Sequence, residues 1–271
     1  MPWGNMDEFQ ALLQTIQRLF NMQCNNYKED YIKRRLASRM NSRHIATYKE
    51  YREYLLQNKD EHEALKNALT INVTKFFRDP PVYDCLRSEI IPPILRQKKK
   101  LRLWSAGCSS GEEPYSYAIM LYDMTTIIKD VDWMIIATDI DETILKKAKE
   151  GIYEKSALEF VTESQLRRHF RHREDGRYEI KPHIREKVKF QHHDLMSGVP
   201  VSRYLDIISC RNVTIYFSDK QKNELVRMIH QGLNPGGYYV MGMSEFLSRE
   251  VESLFSPYRP LQKIFVRKDS S

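Results

Sequence analysis

The fold is decided by one stretch, Leu101–Leu121, which reads LRLWSAGCSSGEEPYSYAIML. It predicts a short apolar strand, a turn that contains Gly107 and Gly111, and a helix that starts at Glu112 and Glu113. A strand, a glycine-containing turn and a helix form the first unit of a nucleotide-binding α/β domain. Glycine lets the backbone turn sharply and lets a ligand approach bare peptide groups, so we expect a ligand at this turn.

The acidic pair indicates what kind of ligand the turn accepts. The two glycines of the turn have the spacing Gly-x-x-x-Gly, which differs from the dinucleotide fingerprint. Two carboxylates at the start of a helix repel phosphate. A ligand with a nucleoside, no phosphate and a positive centre fits, and S-adenosylmethionine has an ammonium and a sulfonium. Alternatively, Glu112 and Glu113 only complement the helix dipole. The turn alone leaves both interpretations open.

Composition narrows the class of protein. The chain has 271 residues, 41% of them hydrophobic, which is enough for one large or two small folded domains. No apolar run approaches a membrane span and no signal peptide is recognisable. Four scattered cysteines argue against disulfides or a zinc site, so we expect no metal and a reducing cytosol. The net charge of +7 favours an acidic partner.

The first part of the chain is helical in pattern from about residue 7 to residue 69. Its second predicted helix carries five basic residues and no acidic one between positions 33 and 43, namely Lys33, Arg34, Arg35, Arg39 and Arg43. Such a run is either a solvated helix face or a docking surface for an acidic partner. We favour docking, because no acidic residue within the run can pair with these side chains.

A polar and aromatic segment, NVTKFFR, follows the helices and begins at Asn72. We expect Asn72, Thr74 and Arg78 to face one site while Phe76 and Phe77 anchor the segment to a core. The alternative is a capped linker, because Asn and Thr are ordinary turn residues.

Polar residues follow the other predicted strands. Asp139 ends the second strand, where this fold class binds ribose hydroxyls, and two hydroxyls can donate to one carboxylate. Asp194 and Asn212 follow the strands predicted over 189–193 and 204–210. The ends of these strands converge on one rim of a parallel sheet, so we expect one ligand site there.

The remaining pattern predicts how the chain divides. We expect a helical domain over 1–80 and a sheet domain over 81–271, with a small β-subdomain inserted at about 162–189 and a hairpin turn at Gly176. The other predicted elements are helices over 142–150 and 219–231, a turn over 233–237, and strands over 238–243 and 263–266.

Four motifs in this order resemble one family, and the resemblance covers nearly the whole chain. The motifs are NVTKFFR from Asn72, WSAG through GEEPYS from Trp104, ATDID from Ala137 and CRNVTIYF from Cys210. They look like the CheR family, the chemotaxis receptor glutamate methyltransferases. The resemblance implies a Rossmann-like class I methyltransferase sheet domain with a small inserted β-subdomain, preceded by an all-helical domain.

The resemblance also implies the chemistry. The family transfers a methyl group from S-adenosylmethionine to glutamate γ-carboxylates on the cytoplasmic helices of receptors, leaving S-adenosylhomocysteine. It implies a cytoplasmic monomer whose partner is the receptor's helical domain. Arg78 and Tyr216 are its candidates for holding the substrate carboxylate. The expected cofactor-binding residues are Asn72, Thr74, Arg78, Gly107, one of Glu112 and Glu113, Asp139, Asp194, Leu195, Asn212 and Val213.

One departure from the family concerns receptor docking. Members that bind a receptor's C-terminal pentapeptide carry a glycine-rich loop in the β-subdomain, whereas here Gly176 is the only glycine between residues 162 and 189. We therefore predict a pentapeptide-independent enzyme that docks through the basic helix. There are two rival functions. One is a nucleic-acid methyltransferase, but this chain lacks the catalytic motif with an aromatic residue that stacks on a flipped base. The other is a non-catalytic S-adenosylmethionine sensor.

Overall fold

The computed structural model describes residues 6–20, 29–69, 74–214 and 217–269. The chain forms two compact units, one of residues 1–73 with 216–218 and one of residues 74–215 with 219–271. The sequence placed the division between residues 80 and 81. None of the helices in the described ranges combines the length and the apolar character that crossing a bilayer requires.

Over residues 6–20 and 29–69 the first unit forms four helices, as the helical periodicity predicted. They are α1 (Met6–Phe20), α2 (Glu29–Ser42), α3 (Tyr48–Gln57) and α4 (Lys59–Leu69). Apolar residues three or four apart form one stripe on each helix, and Leu12, Ile16, Leu36 and Leu55 are fully buried in a shared core. Thr47 caps α3, because its hydroxyl accepts from the Glu50 amide and the Glu50 carboxylate accepts from the Thr47 amide.

A buried carboxylate organises one side of the first unit. Glu61 of α4 is 0% exposed and accepts hydrogen bonds from Arg39, Arg43 and Tyr51 at 2.7–2.9 Å. Burial opposes its ionisation, but these hydrogen bonds outweigh burial and lower the pKa of Glu61 to about 2. The basic run contains no acidic residue, but partners outside it pair with three of its members: Glu61 with Arg39 and Arg43, and Glu29 with Lys33. The expectation that i,i+4 pairing does not explain the run is therefore wrong for Lys33.

The second unit is built on a seven-stranded sheet. Its strands are β1 (Lys100–Ala106), β2 (Asp132–Asp139), β6 (Val188–His192), β7 (Leu205–Cys210), β8 (Leu233–Met241), β9 (Phe255–Arg259) and β10 (Ile264–Arg267). Their order is β6-β2-β1-β7-β8-β10-β9, and the pairs from β6 to β8 are parallel while β10 is antiparallel to β8 and β9. The order reverses beside β1, which is where such sheets bind ligands.

The helices of the second unit alternate with its strands along the chain. They are α5 (Pro80–Cys85), α6 (Ile91–Lys98), α7 (Glu112–Thr125), α8 (Glu142–Glu150), α9 (Glu163–His169), α10 (Pro182–Arg185) and α11 (Asp219–Gly232). A π-helical turn over Leu86–Ile90 joins α5 to α6. All six residues of β7 are buried, Asp206 and Ser209 included, as expected for a parallel strand covered on both faces.

Two sequence predictions fail in the last part of the sheet. The turn predicted over 233–237 belongs to β8, where the register shifts beside β7 and Gly236 has a φ of +69°. Strand β9 was not predicted, because Pro257 interrupts its pattern. β9 is the last strand of the sheet, and an edge strand tolerates proline.

A second, three-stranded sheet lies beside the first. Its strands, β3 (Ile152–Tyr153), β4 (Phe170–His172) and β5 (Tyr178–Ile180), pair in the antiparallel order β3-β5-β4. The predicted hairpin turn joins β4 to β5, and Gly176 there has a φ of +81°, which favours glycine. Because β3 belongs to it, this sheet begins about ten residues before the predicted insertion.

Candidate active site

The turn after β1 is tied to the end of β2. The amides of Gly107 and Cys108 both donate to the Thr138 carbonyl at 2.8 Å. Gly107 has a φ of +76°, and a Cβ on it would lie 2.5 Å from Val213 Cγ2, so only glycine fits between the turn and Val213. The structure therefore brings two predicted cofactor residues, Gly107 and Val213, into direct contact.

Asp139 lies beside the same turn, at the carboxyl end of β2. Its Oδ2 accepts from the Ser109 amide at 2.9 Å and its Oδ1 accepts from the Asp141 amide at 3.0 Å. Desolvation raises the pKa of Asp139, while these backbone hydrogen bonds favour its ionised form. Each oxygen keeps a further lone pair, so a diol can donate to a carboxylate that is already fixed in place.

Glu113, the second acid of the pair, already has partners. The Ser105 hydroxyl donates to Glu113 Oε1 at 2.7 Å, and Arg211 Nη1 lies 3.4 Å from Oε2. The Arg211 side chain is 2% exposed, so this ion pair is largely shielded from water. Glu113 is therefore already paired with a positively charged group of the protein, the Arg211 guanidinium.

Glu112, the first residue of α7, has a different environment. It is 5% exposed, and the Ser110 hydroxyl donates to its two oxygens at 2.9 and 2.7 Å. Within the described ranges no Lys, Arg or His side chain forms an ion pair with it. Desolvation is the main cause that raises the pKa of Glu112, to about 7. The site thus holds a buried carboxylate that lacks a cation.

The segment that carries Arg78 is anchored as the sequence predicted. Phe76 is 0% and Phe77 is 4% exposed, and both belong to the core of the sheet unit. The Phe77 amide donates to the Ser116 hydroxyl of α7 at 2.8 Å, and the Phe76 amide donates to the Ala157 carbonyl at 3.0 Å. Thr74 and Arg78 flank these anchors and are half-buried.

Arg211 connects this segment to the acidic pair. Its Nη2 donates to the Arg78 carbonyl at 2.9 Å and to Asp79 Oδ2 at 2.6 Å, while Nη1 reaches Glu113. Burial alone would lower the pKa of Arg211, but nearby Tyr83 and Glu113 keep it above its ordinary value. One buried guanidinium therefore fixes the backbone of Arg78 relative to the start of α7.

The other predicted site residues fall in three groups. Asp194 follows β6 and accepts from the Met196 amide at 2.8 Å, and Leu195 beside it is 8% exposed. The preceding residue, His193, donates its amide to the Asp139 carbonyl at 3.1 Å, which joins this turn to the end of β2. Asn212 follows β7 with a φ of +61°. Two predicted residues, Asn72 and Tyr216, lie outside the described residues.

Sequence reasoning missed three residues that build this site, Arg211, Ser110 and Glu245. Glu245 is 3% exposed and accepts hydrogen bonds from the backbone beside Asn212. A signal for it existed, because Glu245 follows an apolar strand just as Asp139 does. No local signal distinguished Arg211, since its partners lie about a hundred residues away in the sequence.

Comparison with known proteins places this geometry in a family. Residues 72–260 match the model described as CheR methyltransferase, SAM binding domain, and residues 7–70 match CheR methyltransferase, all-alpha domain. The chain belongs to the CheR family. It is an S-adenosylmethionine-dependent methyltransferase of chemotaxis, with a class I methyltransferase sheet behind a helical domain.

The CheR relatives span most of the chain. Chemotaxis protein methyltransferase 2 of Vibrio cholerae is 36% identical over 236 residues, which cover 85% of this chain and 82% of the relative. Chemotaxis protein methyltransferase of Listeria innocua is 35% identical over 231 residues, which cover 85% of this chain and 86% of the relative.

Among solved structures, a TehB-like SAM-dependent methyltransferase from Corynebacterium glutamicum is 13% identical with a TM-score of 0.37, and the match covers 62% of this chain and 78% of the other.

Proposed function

We propose that this protein methylates glutamate γ-carboxylates on the cytoplasmic helices of chemotaxis receptors. One observation carries the proposal. Glu112, a buried carboxylate with no cation among the described residues, starts the helix that follows β1, and Asp139, a carboxylate held by two backbone amides, ends the adjacent strand β2. A cationic amino acid joined to a ribose satisfies both groups, whereas a phosphate is repelled by both.

Glu112, rather than Glu113, takes the methionine ammonium in this proposal. Glu113 is neutralised by Arg211, whereas burial disfavours the charge of Glu112 until a cation arrives. Asp139 holds the ribose hydroxyls. The adenosine lies against the remaining residues of the rim, which are Gly107, Asp194, Leu195, Asn212 and Val213. Asn72 and Thr74 complete the cofactor site on the strength of the family resemblance.

The chain's own residues act mainly by positioning. When bound, S-adenosylmethionine supplies an activated methyl group on sulfur, and a glutamate carboxylate is already ionised at neutral pH. The carboxylate oxygen forms a bond to the methyl carbon as the carbon–sulfur bond breaks, so no proton has to be moved. Arg78 and Tyr216 orient the carboxylate for in-line attack, and such orientation accounts for most of the rate.

The first prediction separates the role of Arg78 from cofactor binding. Arg78→Ala is expected to lower kcat by about tenfold or more, because the substrate carboxylate loses a charged hydrogen-bond donor. The dissociation constant for S-adenosylmethionine should change less than about threefold, since the Arg78 carbonyl still anchors the backbone through Arg211. Calorimetry and steady-state kinetics measure the two quantities. Arg96→Ala, at an exposed site on α6, is the matched control.

Docking on a receptor uses the basic face of α2 in this proposal. Because Arg39 and Arg43 also bind Glu61, the exposed Arg34 is the clearest probe of the surface. Arg34→Glu is expected to lower kcat/KM for a receptor fragment by roughly tenfold and to weaken its salt dependence, because receptor methylation helices are rich in glutamate. Lys49→Glu, exposed on α3, is the control for charge alone. Equal losses in the two variants would contradict docking through α2.

The deciding experiment supplies S-adenosylmethionine with a tritiated methyl group and a soluble receptor cytoplasmic fragment that lacks any tail peptide. Base-labile label on the fragment identifies a carboxyl methyl ester and supports both the substrate and the absence of a pentapeptide tether. Label found only on a receptor that carries the C-terminal tail supports the proposed substrate but contradicts the proposal that the enzyme needs no pentapeptide tether. Cofactor binding without label on either contradicts the proposed substrate and favours the sensor, while label on RNA or DNA favours the nucleic-acid methyltransferase.

A further inference from the structure

We infer that Glu245 is a positioning residue that holds the turn after β7 in the shape needed for cofactor binding. The carboxylate follows β8 and is 3% exposed. Its Oε1 accepts from the Thr214 amide and the Thr214 hydroxyl, both at 2.8 Å. Its Oε2 accepts from the Asn212 amide at 3.1 Å and the Gly242 amide at 2.7 Å.

These four hydrogen bonds occupy both oxygens of Glu245. A buried carboxylate without a cation is stable when backbone amides donate to it, because each amide stabilises the charge and has its own hydrogen-bonding need met. All three amides come from the turn at 212–214 and the strand end at 242. Glu245 therefore acts on the backbone of this turn and has no lone pair directed to a substrate.

The turn that Glu245 holds has a defined backbone shape. Asn212 has a φ of +61°, in the left-handed region that asparagine tolerates better than most residues other than glycine. Gly242 packs against it so closely that a Cβ there would lie 2.7 Å from the Asn212 amide nitrogen and 2.7 Å from Glu245 Oε2. The asparagine conformation and this close approach let the Glu245 carboxylate reach the backbone amides on both sides.

The position of the turn matters because Val213 reaches the first glycine of the site. Val213 Cγ2 lies 2.5 Å from where a Cβ on Gly107 would be, so the side chain covers the backbone of the turn after β1. Contacts thus run from Glu245 through the 212–214 turn to Gly107. The inference rests on the proposed role of Asn212 and Val213 at the adenosine, and it adds the residue that sets their geometry.

The test uses the full chain and S-adenosylhomocysteine binding by calorimetry. Glu245→Gln is expected to weaken binding about tenfold, because the amide keeps one acceptor oxygen and turns a donor toward backbone N–H groups. The kcat at saturating S-adenosylmethionine should fall less than the affinity. Thr214→Val removes only the hydroxyl donor and should weaken binding about threefold, while Thr214→Ser restores it. Glu250→Gln, at a side chain 71% exposed, is the matched control and should bind normally.

Amide hydrogen exchange provides a second readout. The amides of Asn212 and Thr214 should exchange faster in Glu245→Gln than in the wild type, because both lose their charged acceptor. If Asn212→Ala weakens binding but Glu245→Gln and Thr214→Val do not, the inference is wrong and the proposed site stands. If Glu245→Gln accelerates exchange while neither it nor Asn212→Ala affects binding, the proposed adenosine site itself is wrong and the inference falls with it.

Discussion

Replacement of Arg211 by alanine is expected to destabilise the sheet unit by about 3 kcal/mol and to lower methyl transfer by about a hundredfold. The guanidinium joins Asp79, the Arg78 carbonyl and Glu113, and its loss leaves Glu113 as a shielded carboxylate without a cation. This cost lies at the lower end of the range for broken buried pairs, because the Asp79 side chain is 32% exposed and water can solvate it.

The loss of activity has a separate cause from the loss of stability. Without Arg211 the backbone of Arg78 is no longer tied to the start of α7, so the group that orients the substrate moves relative to the methyl donor. A displacement of about 1 Å is enough to cost about a hundredfold in rate. Urea unfolding measures the stability, and kcat is measured well below the unfolding transition so that only folded enzyme is compared.

Arg211→Lys is the control that separates charge from geometry. Lysine keeps the positive charge, but its donors radiate from one nitrogen, whereas Arg211 reaches Glu113 from Nη1 and both Asp79 and the Arg78 carbonyl from Nη2. We expect it to recover more of the stability than of the activity. Full activity in Arg211→Lys would show that charge alone suffices, and unchanged unfolding in Arg211→Ala would contradict the structural role.

Local pattern predicted the elements whose structure depends on neighbours in the chain. Helix α8 was expected over 142–150 and spans Glu142–Glu150, because Asp141 caps its start and Gly151 adopts the left-handed conformation at its end. The strand expected over 204–210 is β7, since a mostly apolar run between turns fits a strand buried on both faces. Asp139 was expected to end the second strand, and it does.

Distant contacts explain what the sequence could not predict. Asn234 and the glycines after it resemble a turn, but a Cβ on Gly237 would lie 3.1 Å from the Leu205 carbonyl oxygen, so the glycine allows β8 to approach β7. The partner of Arg43 could not be recognised in the basic run, because Glu61 lies 18 residues beyond Arg43. Within the candidate site, the proposed preference for Glu112 over Glu113 rests on the contact of Glu113 with Arg211, which the spacing of the acidic pair does not reveal.

Glu112→Gln is expected to weaken S-adenosylmethionine binding by about tenfold to a hundredfold at about pH 7.5, through loss of a charged hydrogen bond to the ammonium. In the wild type the pKa of Glu112 is raised to about 7, so the free enzyme is largely protonated below that pH. Binding of the ammonium requires the ionised form. The affinity should therefore rise with pH, by up to about tenfold per unit between about pH 5.5 and pH 7, and this slope should disappear in Glu112→Gln.

Glu112→Gln should also stabilise the cofactor-free protein against unfolding. The pKa of Glu112 is about 7 in the folded state against an ordinary value of 4.5, so the folded protein keeps a proton that the unfolded chain releases between these values. The free energy of unfolding therefore falls as pH rises from about 4.5 to 7, by about 3 kcal/mol in total. Glutamine does not titrate, so the free energy of unfolding of the variant should exceed that of the wild type by about this amount at about pH 8 and should equal it at about pH 4.5.

Glu142→Gln is the matched control, because Glu142 is the first residue of α8 as Glu112 is of α7, but it is exposed. If Glu112 only complements the helix dipole, both variants should lose a few tenths of a kcal/mol of stability and neither should change cofactor affinity. A stabilised Glu112→Gln that binds S-adenosylmethionine weakly and without a pH slope excludes that alternative. A buried carboxylate that binds a cation lowers the free energy of unfolding as long as the cation is absent, whereas a carboxylate that complements a helix dipole raises it. Urea unfolding and calorimetry across this pH range therefore decide between the two interpretations of the acidic pair.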